Sequence, residues 1–311
     1  MKVLVFGSAN IDRTYSVGHF VSAGETLSAE KMELFCGGKG FNQAVAFARA
    51  GSDVYFAGAV GDDGDFLADT LKENGVNTDW LKRIPGPSGH AVIQVTPEGQ
   101  NSIIILAGAN GAITNEDVDR VLAAFTAGDL VVLQNEISSV DYIIDRAHAL
   151  GMIVALNPSP FNDRIRTYDL NKVDYLLVNE VEAAGLTGGS EPMNMAAALH
   201  EKYPEANIVL TLGCAGSVFV GRDGKTQACG IYQTRAVDTT AAGDTYTGYF
   251  LSGVLSGDSV ETALKTAAIA SGISVSRQGA SQSIPTVSEV TSADSSLIRE
   301  FSAEICREEK P

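Results

Sequence analysis

Residues 129–157, "DLVVLQNEISSVDYIIDRAHALGMIVALN", decide the fold. Two short apolar runs flank a helical pattern over 138–150, and no tight turn lies between them. Strands joined through a helix run parallel, so the stretch predicts a βαβ unit. The same alternation continues outward in both directions. Further strand-like runs are "KVLVFG" (2–7), "DVYFAG" (53–58), "DYLLVN" (174–179) and "NIVLTLG" (207–213), with helices expected over 41–50, 64–74, 192–203, 242–256 and 259–277. The expected fold is a three-layer α/β/α sandwich with a mostly parallel central sheet. Two stretches break the pattern. Residues 13–36 have no helical period, and "GHAVIQVTPEGQNSIIILAG" (89–108) reads as a hairpin turning at Pro97-Glu98-Gly99. Insertions at about 13–36 and 88–108 are therefore expected to form a small β-sheet over one edge of a single domain spanning 1–311, as a lid or a dimer contact.

A chain of 311 residues that is 45% hydrophobic can bury a large core. Its net charge of −16 and pI near 4.6 repel phosphate backbones and anionic lipid, which argues against nucleic-acid and membrane partners. A local pocket can still hold a nucleotide. The opening "KVLVF" is too short for a signal sequence, and no uncharged stretch reaches the ~20 residues of a membrane helix, so a cytoplasmic protein is expected. Cys36, Cys214, Cys229 and Cys306 lie far apart without a C-x-x-C, which fits reduced thiols. The four histidines have no metal-ligand spacing.

Ligands of open parallel sheets bind beyond the carboxyl ends of the strands. Those ends carry Asn10 and Asp12, Asn135 and Glu136, Asn157, then Asn179 with Glu182, and the loop "LGCAG". Any one of these could be a turn or a helix cap; the turn reading explains the whole set poorly. "GGKGFNQA" (37–44) opens a helix with bare backbone, either as a tight strand-to-helix entry or as a binding loop. It is not a Walker A loop, because Lys39 is followed by Gly40 rather than Ser or Thr. "TLGCAG" (211–216) offers Thr211, Gly213 and Gly216 to an anion.

"DTTAAGDT" (238–245) leads into an almost uncharged helix. A helix starting near Ala242 leaves the N–H groups of Ala241 through Asp244 unpaired at its positive end, an anion site whose small side chains keep the approach open. Asp244 beside it is placed to accept a proton from an attacking hydroxyl. The alternative is a carboxylate favoured by the helix dipole and nothing more.

Taken together, "GSANID", "GGKGFNQAVAFARAG", "GAVGDDGDF", "AGAN", "NPSP", "NEVEAAGLTG", "TLGCAG", "DTTAAGDTYTG" and "SRQGASQSIP" resemble, in order and over essentially the whole chain, the ribokinase family of sugar kinases (PfkB-type carbohydrate kinases). The resemblance implies an ATP-dependent kinase acting on the primary hydroxyl of a pentose, D-ribose first, with deoxyribose, a fructose-type ketohexose or a nucleoside as alternatives. It implies Asp244 as base and the backbone of Ala241, Ala242 and Gly243 as anion hole. Sugar contacts fall on Asn10, Asp12, Gly38, Lys39, Gly40, Asn42 and Glu136. Asn179, Thr211, Gly213 and Gly216 fall on nucleotide positions, and Glu182 on an Mg²⁺ position acting through water. Asp238, Thr240, Ser274, Arg277, Gly279 and Ser283 fall on a site for an activating monovalent cation, usually K⁺. The chain departs from the family at Ala268, on the adenine side, at Asn135, before the sugar-binding Glu136, and at Ala215, where some members carry a basic residue. A homodimer through the lid sheets is expected. A reading of another class, a non-catalytic sugar-binding regulator, would be favoured had Asp244, Glu182 or Gly243 been replaced, and none is.

Overall fold

A strand covered by helices on both faces must be apolar at every position. "VLVF" and "LVVLQ" come close to this rule, and both runs are buried along their full length. The computed structural model describes residues 1–302. Its strands are β1 (Val3–Phe6), β2 (Asn10–Ser16), β3 (Lys31–Gly37), β4 (Val54–Val60), β5 (Asn77–Arg83), β6 (Gly89–Val95), β7 (Asn101–Leu106), β8 (Leu130–Gln134), β9 (Ile153–Asn157), β10 (Tyr175–Asn179), β11 (Asn207–Thr211), β12 (Ser217–Val220) and β13 (Thr226–Cys229). The helices are α1 (Lys39–Arg49), α2 (Asp65–Glu73), α3 (Asn115–Leu122), α4 (Val140–Ala149), α5 (Glu180–Thr187), α6 (Pro192–Lys202), α7 (Ala242–Leu255), α8 (Val260–Val275) and α9 (Val287–Thr291).

Nine strands form one sheet in the order β13-β12-β11-β10-β9-β8-β1-β4-β5. The run from β11 to β5 is parallel throughout, and β12 and β13 continue it antiparallel. Alternate side chains of each strand enter opposite cores. Leu4 and Phe6 of β1 pack with α3 and α4, while Val3 and Val5 pack with α1, α7 and α8. This is the expected three-layer sandwich, and each large side chain it encloses contributes about 1.5–3 kcal/mol.

The two irregular stretches form a second sheet, in the order β3-β2-β6-β7. Its central pair is parallel, with Asn10 opposite Gly89 and Asp12 opposite Ala91. The hairpin of β6 and β7 is antiparallel, as the Pro-Glu-Gly turn predicts. β7 is exposed along its whole length. Among the described residues no helix is long and apolar enough to cross a membrane.

Other features were not anticipated. β5, β12, β13, α3 and α5 are short or carry polar residues on an exposed side, which blurs their periodicity. Cys36 and Cys229 are free, buried thiols. Cys214, however, is disulfide-bonded, against the reading of four reduced thiols, since separation along the chain does not limit approach in space. Cys306 lies outside the described residues.

Candidate active site

β1 and β8 are neighbours, and the sheet grows away from them in opposite directions. Beyond their carboxyl ends lies the crevice where such sheets bind ligands. Ser8, just past β1, donates its hydroxyl to Glu136 Oε2, just past β8, and ties the two ends together. The Lys39 backbone N–H donates to the same oxygen at 2.8 Å.

Helix α1 can reach this point because glycines stand before and at its start, Gly37 and Gly38 ahead of it and Gly40 in its first turn. A Cβ on Gly40 would lie 2.5 Å from Ser8 N and 2.7 Å from Gly7 Cα, backbone that cannot move aside. Gly38 caps the helix at φ 91°, a region that disfavours side chains. Gly37 is required for a different reason, since its Cβ would fall 2.0 Å from Asp12 Oδ2. The glycine run is thus both the tight helix entry and the wall of a site, and the two readings of "GGKGFNQA" hold together.

Asp12 comes from β2 of the small sheet. Burial, helped by the nearby Glu136 charge, pushes its pKa up to about 7. Burial also raises Glu136, opposed by its bonds from Ser8 and Lys39. Burial works against the Lys39 ammonium, but Asp244, Glu136 and Glu182 around it prevail and lift its pKa. Asn10 is buried, and its Oδ1 accepts from Asn110 Nδ2 at 2.7 Å.

Asp244 occupies the first turn of α7 and is buried. Asn42 Nδ2 donates to its Oδ2 at 3.2 Å and Gln43 Nε2 to its Oδ1 at 2.9 Å. Asn42 Oδ1 is buried with no hydrogen-bond partner among the described residues, an acceptor left for a ligand. Ala241, the N-cap, has a left-handed backbone at φ 60°. That conformation is strained for alanine and turns the chain so that α7 begins beside the crevice. A Cβ on Gly243 would meet nothing within 4 Å, so no protein contact demands glycine there and open space faces it. One detail departs from expectation. The Ala242 N–H is not free, because the tight turn brings Thr239 O to 3.3 Å.

A cavity of about 70 Å³ brings together Lys39, Asn179, Thr211, Gly243 and Asp244, with Asn157 and Thr247. Asn157 Oδ1 is buried with no hydrogen-bond partner among the described residues. Glu182 sits behind this cavity as the partner of a capping box: Oε2 accepts from the Asn179 N–H at 2.7 Å and Oε1 from Ser159 Oγ at 2.6 Å. Gly213 and Gly216 are outside its lining. Gly216 has a packing reason of its own, since a Cβ there would lie 2.1 Å from Cys229 O.

The remaining residues group beside α7. Asp238 staples two loops, accepting from the N–H groups of Thr240 at 2.9 Å and Gly279 at 3.0 Å. The buried hydroxyls of Ser274 and Ser283 are 2.8 Å apart. Arg277 turns outward to Glu289 at 2.6 Å.

Two departures from the family pattern do not face the site. Asn135 points away from it, donating to Pro160 O and accepting from Tyr168, each at 2.7 Å. Successive side chains at a strand end alternate, so Glu136 faces the crevice and Asn135 cannot. Ala215 is buried in the core on the α5 and α6 side. Ala268 is likewise buried, on α8. Gln43, Gln134, Ser8 and Asn110 were missed as site residues. Their one signal is a polar side chain at the end of an apolar run or on a buried helix face.

A switch-point crevice with a buried carboxylate at a helix N-terminus on one side and two further carboxylates on the other defines a phosphotransferase-like site. The model of the pfkB family carbohydrate kinases matches residues 1–287, and the chain belongs to that family. It is 35% identical over 298 residues to the ribokinase of Haemophilus influenzae, covering 92% of this chain and 95% of the relative. It is 33% identical over 301 residues to the deoxyribokinase of Salmonella typhi, covering 93% and 97%. Among solved structures, the Arabidopsis thaliana ribokinase complexed with ribose and ATP superposes with a TM-score of 0.82 at 32% identity, covering 93% of this chain and 97% of that one. The chain is a ribokinase-like carbohydrate kinase, a phosphotransferase.

Proposed function

We propose that this chain transfers the γ-phosphate of ATP to the primary hydroxyl of a pentose, with D-ribose the first choice, giving D-ribose 5-phosphate and ADP. The carrying observation is Asp244, buried at the start of α7 with both oxygens accepting from amides and open space beside Gly243. In this reading Asn10, Asp12, Gly38, Lys39, Gly40, Asn42 and Glu136 bind the sugar, its hydroxyls lying between carboxylates and amides. Asp244 takes the proton of the primary hydroxyl as its oxygen attacks the γ-phosphorus, and ADP leaves. The backbone N–H groups of Ala241 and Gly243 hold the transferring phosphoryl group, the Ala242 N–H being engaged by Thr239 O. Asn179, Thr211, Gly213 and Gly216 bind the nucleotide.

Among the described residues no cluster of three or more His, Cys, Asp or Glu is placed to hold a metal. Mg²⁺ fits as a hydrated ion carried with the phosphates, because the cavity offers neutral oxygens and the buried Asn157 Oδ1. Glu182 and Asn179 would steady its waters, and the ion would neutralise phosphate charge. K⁺ fits the loops stapled by Asp238, with Thr240, Ser274, Arg277, Gly279 and Ser283 around it and backbone carbonyls as ligands. The small sheet serves as a lid on a single domain, and the protein works in the cytoplasm. Deoxyribose is the second reading, favoured by the similar identity to a deoxyribokinase.

The test is ADP release with ATP and a panel of ribose, deoxyribose, fructose and nucleosides, with and without K⁺. Ribose is expected to give the highest kcat/KM, and K⁺ to raise turnover. Sugar binding without ADP release would move the assignment to a binding protein.

A homodimer through the small sheets belongs to the same proposal. Ile103, Ile104, Ile105 and Leu106 of β7, with Met32 and Leu34 of β3, are about half exposed or more. An uncovered edge strand of this kind is a pairing surface, and a second copy supplies an identical one. Ile104→Lys is expected to convert a sedimenting dimer to a monomer; an unchanged dimer places the contact elsewhere.

A further inference from the structure

The carboxylate of Asp244 can only accept hydrogen bonds when ionised, and this fixes the polarity of everything behind it. Gln43 must present its NH₂ group to Asp244, as it does at 2.9 Å. Its carbonyl then faces the opposite way, where Gln134 Nε2 donates to Gln43 Oε1 at 2.6 Å. Both glutamines are fully buried, and 91 residues separate them in the sequence. Gln134 ends β8 and is outside the cavity lining. Its own Oε1 has no hydrogen-bond partner among the described residues, and a Cβ on Gly7 would lie 2.2 Å from that oxygen. An amide carrying a buried, unsatisfied carbonyl in a central strand is costly to keep where an apolar residue would pack.

We propose that Gln134, through Gln43, is a positioning residue for phosphoryl transfer: the two amides form a one-way relay that holds the Asp244 carboxylate facing the acceptor hydroxyl. The inference rests on the reading of Asp244 as base. Gln43 takes one lone pair of Oδ1 and Asn42 one of Oδ2, which fixes the carboxylate plane and leaves the remaining lone pairs for the incoming proton. Without the Gln134 donor, Gln43 is free to flip and turn its carbonyl toward Asp244. The carboxylate then loses one of its two anchors, while Asp12, Glu136 and Asn42 still bind the sugar.

The test compares wild type, Gln134→Met and Gln43→Met for ADP release, and for sugar affinity by calorimetry. Gln134→Met is expected to lower kcat by about 10–100-fold, the scale of a small misplacement of a reacting group, with sugar affinity within about twofold of wild type. Because Gln134 acts only through Gln43, the double variant should be no slower than Gln43→Met alone. An unchanged kcat in Gln134→Met, a parallel loss of sugar affinity, or additive effects in the double variant overturns the relay. Gln134→Glu keeps the shape and carries the test should the methionine variant not fold. Protonated, that side chain can donate to Gln43; ionised, it cannot. Its kcat relative to wild type should therefore recover as pH falls, and a pH-independent ratio counts against the relay. Wild-type protein without sugar-dependent ADP release rejects the kinase reading itself, whereas an active wild type with unaffected variants rejects the relay alone.

Discussion

Asp244→Asn is expected to lower kcat by about 10²–10⁴-fold, the usual contribution of a positioned general base. Sugar affinity should change little, because the proposed reading has the sugar held chiefly by Asp12, Glu136 and Asn42. The substitution keeps the shape of the side chain but sets an NH₂ group against the donors of Asn42 or Gln43, so one of the bonds at 3.2 and 2.9 Å is lost. The helix terminus and the open space at Gly243 are untouched, so a residual rate from positioning alone should remain. Single-turnover ADP formation beside calorimetric sugar binding separates the two effects. A variant keeping a tenth or more of wild-type turnover is incompatible with Asp244 as the base.

Asp12 governs the second expectation, which concerns pH. Burial and Glu136 raise its pKa to about 7, and only the ionised carboxylate can accept two sugar hydroxyls. Sugar KM should be flat above that value and rise about tenfold per pH unit below it. Asp12→Asn should raise KM by about 10–100-fold at pH 8, the value of hydrogen bonds to a charged group, and should remove that pH dependence. Stability should move the other way. The folded state holds a proton that the unfolded chain releases near 3.8, so the empty protein loses stability as pH rises from about 4 to about 7. At pH 8 Asp12→Asn should be more stable than wild type by about 2–4 kcal/mol in chemical denaturation. An Asp12→Asn variant that is less stable at pH 8, or whose KM still rises below pH 7, contradicts the assignment.

The legible parts of the fold were those with an unambiguous environment. β1, β8 and β11 are buried on both faces and read as continuous apolar runs, while β5, "NTDWLKR", sits at a sheet edge with mixed exposure and has no clean period. The small sheet was legible from its Pro-Glu-Gly turn. In the site, Asp244 could be read from its place at a helix start, because a helix terminus is a local property. Gln134 could not, since its partner arrives from a distant part of the chain. Asn135 was misread because adjacent residues at a strand end face opposite ways, and only Glu136 turns toward Ser8 and Lys39. The Asn179 and Glu182 pair had two meanings at once, a helix cap and a binding element, and the capping box is the one drawn in hydrogen bonds.

The parallel pairing of β2 with β6 places Asp12 on the small sheet, whereas Asp244 belongs to a helix of the large one. On the proposed reading, Asp12 and the base therefore sit on different sheets, while the other sugar contacts, Lys39, Asn42 and Glu136, come from α1 and the end of β8. Exchange of residues 10–37 and 89–106 between relatives can retune which sugar is taken without disturbing the base. Such a division lets one catalytic frame diversify among substrates, within the limit that Ile11 and Cys36 of the small sheet are buried in the same core as β1, α1 and α7.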